Sequence, residues 1–348
     1  MKIAFVGCGK ISDVYFKNIQ EKFKTLEIVA CCANHLEHAL EKGKQFGIQG
    51  CTLEEILADP FIEMLLILTP APTHYKLIKQ GLEAGKHVYT EKPVSTNTAE
   101  AEELRQLARD RGLYLGSAPE TFLSAAFQTA RKAIIDGKLG KISSFHIACN
   151  RDYTVLSSIF RFLRQPGGGI CFDYSVYHLT ALVNLLGPVK SVYARLQNPK
   201  PIRKCIVPSM PDFGQDFESP NESIAVAILE MESGVVGTLM LNGESNLMDL
   251  PDFRIYGSEG ILVLPDANQF VGDAIFYPNT RKLCHEKIVL EPVSDITTES
   301  RGIGVYDMEA AIRENRPCRT NIETALHVLR VIEKMTISSE TGKTELID

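Results

Sequence analysis

The sequence predicts an α/β Rossmann domain followed by an α+β domain with an open, mostly antiparallel sheet. From residue 2 to about residue 118, short apolar runs alternate with amphipathic stretches, which is typical of βαβ units and a parallel sheet. After about residue 119, β-rich runs follow one another with few helical stretches between them. The length of 348 residues also exceeds that at which single hydrophobic cores usually stop growing. We therefore predict two domains, residues 1–119 and 120–348.

The strands predicted in the first domain are short β-rich runs flanked by glycine, proline or polar residues. They are KIAFVG, EIVACCA, EMLLILT, HVYTEK and LYLGSA. Amphipathic spacing predicts helices between them at residues 13–23, 36–46, 74–84 and 98–111. Gly85 and Gly112 are placed as C-terminal stops of two of these helices. This alternation makes the first domain doubly wound.

In the second domain, one predicted helix at residues 125–136 precedes a series of strands. They are GKISSFHIAC, VKSVYARL, ESIAVAILEM, GVVGTLMLN and DFRIYGSEGILVLP. The pair AVAILEM and VVGTLML, joined by a short glycine-containing turn, predicts a hairpin. Residues 197–221 are rich in proline and lack periodicity, so we predict a long connection there. An amphipathic closing helix at about residues 322–337 is able to pack back on the first domain.

Composition and charge narrow the class of partner. With 45% hydrophobic and 23% charged residues, the chain is an ordinary globular protein. A net charge of -6 argues against nucleic acid and anionic membranes, which require clustered Lys and Arg, so we expect a small-molecule partner. Nine cysteines without a CxxC pair indicate reduced thiols. Neither a signal-peptide pattern nor a bilayer-length apolar run is found, so we expect a cytoplasmic protein.

A glycine-rich loop follows the first strand directly. It is Gly7-Cys8-Gly9-Lys10-Ile11-Ser12, close to GxGxxG with Ser12 as the third small residue. Gly7 allows the tight turn, Gly9 lets the backbone approach a pyrophosphate, and the helix that starts near Lys10 offers unpaired N–H groups. Its position between a strand and a helix favours dinucleotide binding over a purely structural turn.

The end of the second strand lacks the usual anchor for NAD. A carboxylate there would accept both ribose hydroxyls, but this chain has Ala33, Asn34 and His35. Repulsion of a 2′-phosphate is thereby removed as well, so the cofactor is NAD or NADP, with a slight preference for NADP. The alternative interpretation of these three residues is a solvated turn.

The fourth strand ends in Glu91-Lys92-Pro93. Open α/β sheets bind ligands at the carboxyl ends of their parallel strands. A lysine there can stabilise a developing alkoxide and favour ionisation of a neighbouring acid. By itself, however, this residue is better explained as a surface lysine.

Several motifs together resemble the glucose-fructose oxidoreductase and inositol dehydrogenase (Gfo/Idh/MocA) family. In the first half of the chain they are the glycine loop, Thr69-Pro70 with His74, and the AGKHV-x-x-EKP run. In the second half they are the triple glycine before Asp173, LLGPVKSVYA, IYGSEGILVL and RGIGVYDMEAAI. The resemblance thus covers nearly the whole chain. The resemblance implies a Rossmann domain, a C-terminal open-faced sheet with the active site between them, and hydride transfer with NAD(P). It also implies that the Thr69 to His74 loop lies beside the nicotinamide ribose.

The acid/base position departs from the pattern of many members. There, a histidine follows the aspartate by four residues, whereas here Tyr177 occupies that place and His178 follows it. Some branches of the family are similar in using tyrosine. Residues four apart share a helix face, which groups Asp173 with Tyr177 and turns His178 away by about 100°. Our hypothesis is that Tyr177 exchanges the proton of the substrate hydroxyl, Lys92 positions that oxygen and tunes Tyr177, and Asp173 orients the hydroxyl or the lysine. His178 is the rival acid/base.

The remaining candidates contact cofactor or substrate. The predicted cofactor residues are Gly7, Gly9, Lys10, Ile11, Ala33, Asn34, His35, Thr69, Pro70, His74, Glu91 and Lys92. Further candidates for substrate contact are Glu120, Arg151, Arg161 and Arg164. No metal site is predicted, because the histidines lack ligand-like spacing.

The sequence thus predicts an NAD(P)-dependent sugar or polyol dehydrogenase that transfers a hydride between nicotinamide and a secondary hydroxyl or ketone of a sugar, cyclitol or glycoside. Two alternatives stay open. One is an enzyme with tightly bound NAD(H) that performs transient internal redox for elimination or epimerisation; the other is a non-catalytic NAD(P)-binding sensor. The alternating apolar residues of the second domain predict a homodimer or homotetramer formed through its sheet.

Overall fold

A computed structural model describes residues 1–165, 167–246, 252–280 and 286–348. The chain forms two compact units. The first contains Met1–Glu120 and Ser300–Leu326, and the second contains Thr121–Glu299 and His327–Asp348. The first boundary between the units follows Glu120, and residues 300–326 fall in the first unit.

The first unit is built on a parallel sheet of six strands in the order β3-β2-β1-β4-β5-β6. The strands are β1 Lys2–Val6, β2 Glu27–Cys32, β3 Gln49–Gly50, β4 Met64–Ile67, β5 His87–Thr90 and β6 Leu115–Ser117. Strands β1 and β4 are almost entirely buried, as expected for a sheet covered on both faces. Chain order reverses at β1, so its carboxyl end is a switch point for ligand binding.

Five helices connect these strands. They are α1 Lys10–Lys22, α2 Leu36–Phe46, α3 Leu53–Ala58, α4 His74–Glu83 and α5 Thr98–Asp110. The predicted helices at residues 13–23, 36–46, 74–84 and 98–111 are confirmed, with small shifts at their ends. Helix α3 was not predicted, although Thr52 and Glu55 form a capping box at its start.

The second unit is built on a mixed sheet of nine strands in the order β16-β15-β14-β13-β7-β12-β11-β8-β17. The main strands are β7 Ile142–Asn150, β8 Val189–Gln197, β11 Ile224–Met231, β12 Val236–Asn242, β13 Asp252–Gly257 and β14 Gly260–Leu264. Shorter strands are β9 Ile202–Lys204, β10 Asp216–Glu218, β15 Ile275–Pro278, β16 Ile288–Val289 and β17 Glu345–Leu346. The predicted hairpin of β11 and β12 is confirmed. Only the pairing of β7 with β12 is parallel among the described pairs of this sheet.

The region predicted as a long connection, residues 197–221, contains a small element of its own. Strands β9 and β10 pair there as a two-stranded antiparallel ribbon. The periodicity of these strands is too short to be recognised, since each contributes three residues.

Three helices of the second unit accompany the sheet: α6 Ala125–Ile135, α7 Tyr153–Ile159 and α8 Ile170–Leu186. Helix α8 packs on β11 and β12 and is buried along most of its length. The side chains that β11 and β12 direct to the buried face include Ala225, Ala227, Leu229, Leu239 and Leu241. The opposite face of these two strands is exposed.

Two helices close the chain, α9 Ile303–Glu314 in the first unit and α10 Ile322–Thr341, within which the division between the units falls. The returning segment completes the first sheet, because the Ser117 amide at the edge strand β6 donates to Thr320 and Gly116 bridges Asn321. In the part of the chain that the structure describes, no helix combines the length and apolarity needed to cross a membrane.

Candidate functional site

The glycine loop has the geometry of a phosphate cradle. Gly7 has φ +108°, and a Cβ there would meet the Leu68 carbonyl carbon at 2.9 Å. A Cβ on Gly9, in contrast, would meet nothing within 4 Å. Gly9 is the N-cap of α1 and has no side chain to cover the free amides of the first turn. Ser12 is buried and donates its hydroxyl to the Gly9 carbonyl at 2.6 Å, which explains a small residue in this place.

The two glycines are expected to fail in different ways when replaced. Gly7→Ala should destabilise the first unit by about 1–3 kcal/mol, because a left-handed backbone is forced on a residue with a Cβ. Gly9→Ala should keep the free energy of unfolding and lose nucleotide affinity by about tenfold or more, because its methyl group fills open space needed by a ligand. Denaturant unfolding and calorimetric titration with NADP+ and NAD+ measure both. Equal nucleotide affinity of Gly9→Ala and the wild type would contradict a pyrophosphate site at this loop.

A cleft of about 590 Å³ opens beside this loop. Seven predicted cofactor residues line it: Gly7, Gly9, Ala33, Asn34, His35, Thr69 and Pro70. Lys10, Ile11, His74, Glu91 and Lys92 lie outside its wall. The residues present fit a dinucleotide, since free helix amides, a glycine that leaves space, and polar groups at the end of β2 border one cavity.

Helix α2 adds polar residues to this cleft that the sequence analysis missed. His38, Glu41, Lys42 and Gln45 line it together with His35. The rings of His35 and His38 lie 5.5 Å apart, and Lys42 forms an ion pair with Asp13 of α1. Spacings of three and seven residues from His35 along a predicted helix were the signal that could have identified His38 and Lys42.

His74 does not reach the cofactor cleft. Its side chain is fully buried, with Nδ1 2.7 Å from the Pro93 carbonyl oxygen and Nε2 2.7 Å from that of Thr69. Burial lowers the pKa of this imidazole. The ring therefore ties the Thr69-Pro70 loop to the turn after β5.

Glu91 anchors the turn that carries Lys92. One oxygen of its carboxylate accepts a hydrogen bond from the Tyr15 hydroxyl at 2.8 Å, and the other accepts one from the Lys92 amide at 3.1 Å. The turn continues through a cis Lys92-Pro93 peptide bond. The Glu91 carboxylate thus holds the backbone at the carboxyl end of β5, and this fixes the position of the Lys92 main chain.

Glu120 belongs to a buried network of the first unit, and so it is not available as the substrate contact expected from the sequence. Its carboxylate accepts hydrogen bonds from the amides of Gly302 and Gly304, the former at 2.7 Å. The Tyr89 hydroxyl lies 3.4 Å from it, and the Tyr15 hydroxyl also contacts it. Burial raises the pKa of Glu120 to about 7, and the negative charge of Glu91 acts in the same direction.

This shift makes the stability of the first unit depend on pH. The folded-state pKa of Glu120 exceeds the ordinary value of 4.5, so the contribution to stability is complete below pH 4.5 and is lost as pH rises through about 7. We expect about 3 kcal/mol to be lost over this window. The free energy of unfolding of Glu120→Gln, measured across the same window, should lack this decline. Parallel pH profiles of variant and wild type would show that Glu120 ionises normally.

The triple glycine of the second unit lets α8 begin in a crowded place. A Cβ on Gly168 would lie 2.5 Å from the Leu163 backbone, and one on Gly169 would overlap the Glu222 carboxylate. Glu222 accepts a hydrogen bond from the Cys171 amide at 3.0 Å and so caps the helix. The run of glycines therefore fixes the start of α8 and with it the orientation of the residues one turn further on.

Asp173 and Tyr177 lie four residues apart on α8 and are both partly exposed. His178 is 1% exposed. Its Nδ1 is 3.1 Å from the Tyr174 carbonyl, and its Nε2 is 3.6 Å from Asp266, which pairs with Arg151. Burial lowers the pKa of His178. The structure thus separates the two acid/base candidates, with His178 enclosed in the second unit and Tyr177 reachable from solvent.

Of the arginines considered for substrate contact, two are occupied elsewhere. Arg151 is buried against Asp266 and lies over the Tyr174 ring. Arg164 pairs with Asp212 at 2.8 Å and stacks on Phe217 at 3.7 Å, so it holds the segment around the β9–β10 ribbon. Arg161 is exposed and lies 3.3 Å from the same aspartate.

The described residues contain eight cysteines, all of them free and seven of them buried. Cys284 and His285 fall outside the described residues. Within the described ranges, no group of three or more His, Cys, Asp or Glu side chains is arranged to hold a metal ion.

A dinucleotide-type cleft at the switch point of a parallel sheet defines a dinucleotide-binding fold, and comparison with known proteins identifies the family. Residues 1–118 match the family model described as an oxidoreductase family with an NAD-binding Rossmann fold, and residues 127–263 match the GFO/IDH/MocA C-terminal domain. The chain therefore belongs to the GFO/IDH/MocA family of NAD(P)-binding oxidoreductases.

Relatives differ in what they act on. An uncharacterized oxidoreductase of Schizosaccharomyces pombe is 33% identical over 150 residues, which cover 43% of this chain and 41% of the relative. The scyllo-inositol 2-dehydrogenase (NADP(+)) IolW of Bacillus subtilis is 30% identical over 144 residues, 41% of this chain and 40% of the relative. The chain thus aligns with less than half of either protein. A levoglucosan dehydrogenase solved in complex with NADH has a TM-score of 0.87 at 18% identity, with 100% of this chain and 99% of that chain covered, and so shares the fold.

Proposed function

We propose that the protein is an NAD(P)-dependent dehydrogenase that acts on a secondary hydroxyl or ketone of a sugar, cyclitol or glycoside. The observation that carries this proposal is Lys92 at the carboxyl end of β5, on a turn fixed by Glu91 and His74. Relatives that act on an inositol and on levoglucosan support the substrate class.

Gly7, Gly9 and the Ala33 to His35 segment would hold the dinucleotide, which when bound would supply a hydride donor or acceptor for the carbon that carries the hydroxyl. Tyr177 exchanges the proton of that hydroxyl, and the Lys92 ammonium stabilises the negative charge that develops on the oxygen. Asp173 orients the substrate from the same helix face as Tyr177. The protein thus supplies orientation, charge and a proton acceptor.

The test is a turnover assay of the purified full chain, in which NAD(H) or NADP(H) is followed by its near-ultraviolet absorbance across a panel of sugars and cyclitols with their ketones. Turnover that depends on one substrate supports the proposal. Nicotinamide that copurifies and is never released, together with loss of water from a sugar or its epimerisation, would instead favour internal redox. Nucleotide binding without any conversion would favour a sensor.

For the cofactor we propose a preference for NADP. At the end of β2, Ala33, Asn34 and His35 replace the carboxylate that would repel a 2′-phosphate, and Lys42 adds a cation to the same cleft. The Glu41 carboxylate lines the same cleft and would oppose binding of a 2′-phosphate. Calorimetric titration with both nucleotides tests this preference. Asn34→Asp should shift it toward NAD and Glu41→Gln toward NADP, and unchanged affinity ratios would contradict a 2′-phosphate site here.

We also propose that the protein forms a homodimer or homotetramer through the exposed face of β11 and β12. Val226, Ile228, Val236 and Met240 lie on that face, with exposures between 38% and 55%. Apolar patches of this kind usually mark partner surfaces. Sedimentation of the wild type should show an oligomer and that of Ile228→Lys a smaller species; a monomeric wild type would refute the proposal.

A further inference from the structure

A cluster of four cysteines lies beside the phosphate loop of the first unit. Cys8 stands between the two glycines of the loop, Cys31 and Cys32 end strand β2, and Cys51 follows β3. Backbone pairing holds them together, because the Cys51 amide donates to the Cys31 carbonyl at 3.0 Å and the Gly7 amide donates to that of Cys32 at 2.9 Å. Nothing in the proposed dehydrogenase chemistry uses a thiol.

The four thiols are not equivalent. Cys31, Cys32 and Cys51 are buried, whereas Cys8 is partly exposed and lines the cofactor cleft. The Cys8 thiol donates to the Cys32 carbonyl oxygen at 3.3 Å. The Cys31 thiol lies 3.5 Å from the Ala39 carbonyl oxygen and also interacts with the Cys8 sulfur. Cys8 is therefore reachable from the cleft and has a second thiol next to it on the buried side.

The charges around Cys8 favour its thiolate on balance. The hydrogen bond from Cys31 is the largest influence and lowers the pKa of Cys8, and the Lys42 ammonium on α2 acts in the same direction. Burial and the Asp13 carboxylate on α1 oppose them. The pKa values of the neighbouring thiols are shifted in the opposite direction. Burial raises the pKa of Cys32 to about 12 and also raises that of Cys51.

The start of α1 adds to this preference. Cys8 immediately precedes Gly9, the N-cap of this 13-residue helix, where the positive end of the helix dipole favours a thiolate. Partly exposed cysteines near cations and helix N-termini are the reactive ones in proteins, whereas buried cysteines in apolar surroundings are inert.

We propose that Cys8 is a modification site for soft electrophiles and peroxides, and that its modification and dinucleotide binding exclude each other. With hydrogen peroxide, the Cys8 sulfur bonds to one peroxide oxygen, the O–O bond breaks, the thiol proton passes to the departing hydroxide, and a sulfenic acid and water result. With iodoacetamide, a carbon–sulfur bond forms, iodide leaves and the proton goes to solvent. In either product the added group occupies the cradle between Gly7 and Gly9. The inference rests on the dinucleotide cleft of the first unit and is independent of the substrate.

The experiment is competitive alkylation of the native full chain with limiting iodoacetamide, followed by peptide mass mapping. Cys8 should be labelled first, ahead of the buried Cys149 and Cys171 as internal references. A nucleotide at about ten times its Kd should slow labelling of Cys8 about tenfold, because only the free protein reacts. Labelling of Cys8 no faster than of the two references would overturn the proposal, as would an unchanged rate in nucleotide whose binding calorimetry has established.

Variants at Cys31 test the cause of the reactivity. Cys31→Ala removes the donor and should slow alkylation of Cys8 at neutral pH about tenfold, with the midpoint of its pH profile moved upward. Cys31→Ser keeps a donor and should restore most of the rate. Equal rates in wild type, alanine and serine variants would refute the assigned activation, and the wild-type labelling decides the site should either variant fail to fold.

Peroxide gives the functional readout. Treatment of the wild type should abolish nucleotide binding, and dithiothreitol should restore it, whereas Cys8→Ala should bind nucleotide equally before and after peroxide. Wild-type binding that survives stoichiometric oxidation of Cys8 would overturn mutual exclusion. Because binding is measured without a substrate, this result is separate from success or failure of the dehydrogenase assay.

Discussion

Lys92→Ala is expected to lower kcat by about a hundred- to a thousandfold while nucleotide affinity changes little. The reason is that the ammonium stabilises charge that develops on the substrate oxygen only as the hydride moves, and removal of one such group typically costs this much. Lys92 lies outside the wall of the cofactor cleft, so its loss should leave nucleotide binding intact. Steady-state kinetics and calorimetric titration measure the two quantities.

Two variants control this experiment. Lys92→Arg keeps the positive charge but replaces the ammonium by a planar guanidinium. It should retain more activity than Lys92→Ala if the charge is what matters. Lys76→Ala, on the exposed side of α4, removes a surface lysine of the same unit and should be neutral. Nearly full turnover of Lys92→Ala would remove Lys92 from the proposed mechanism, and equal loss in Lys76→Ala would point to a general effect on net charge.

Local sequence patterns were enough to predict most of the fold of the first unit. Strand β1 and the loop after it were identified because apolar residues, glycines and the start of α1 follow one another within twelve residues. Helix α2 was predicted with the ends that the structure shows. Such elements depend on neighbours in sequence, so they can be read without knowledge of distant contacts.

Long-range contacts account for what the sequence did not reveal. The return of α9 to the first unit depends on the buried Glu120 carboxylate, which binds amides about 180 residues later, and no periodicity encodes that partner. Likewise, alternation along β7 and β12 gives their buried faces but not the parallel direction in which they pair. The partners of the His74 ring, the Pro93 and Thr69 carbonyls, lie 19 and 5 residues away, and no periodicity encodes them either.

The candidate site shows the same division. Glycines and the EKP turn were recognisable because a backbone conformation or a strand end demands them, and the residues Gly7, Gly9 and Thr69 do line one cleft. Roles that depend on the environment of a side chain were not recognisable from the sequence. Glu120 and Arg151 are charged residues that the sequence suggested for substrate contact, but both are buried against fixed partners.

Tyr177→Phe is expected to lower kcat by about 10²- to 10⁴-fold, the usual contribution of a general acid/base, without a change in the free energy of unfolding. The replacement removes only a hydroxyl from a partly exposed ring on α8, so packing of the helix is preserved. His178→Gln should behave in the opposite way. It disturbs a fully enclosed imidazole that faces the Tyr174 carbonyl and Asp266, and should cost about 1–3 kcal/mol of stability.

The pair of variants distinguishes the two acid/base candidates because each is measured by both kinetics and unfolding. If Tyr177 exchanges the proton, His178→Gln retains kcat within about tenfold in its folded fraction, and only Tyr177→Phe changes the pH profile of kcat. A stable His178→Gln protein with no turnover, beside an active Tyr177→Phe, would assign the proton to His178 and require the Asp266 side of α8 to open to substrate. His178 is 1% exposed and its two ring nitrogens face the Tyr174 carbonyl and Asp266, which favours the partly exposed Tyr177 as the proposed proton-exchanging residue.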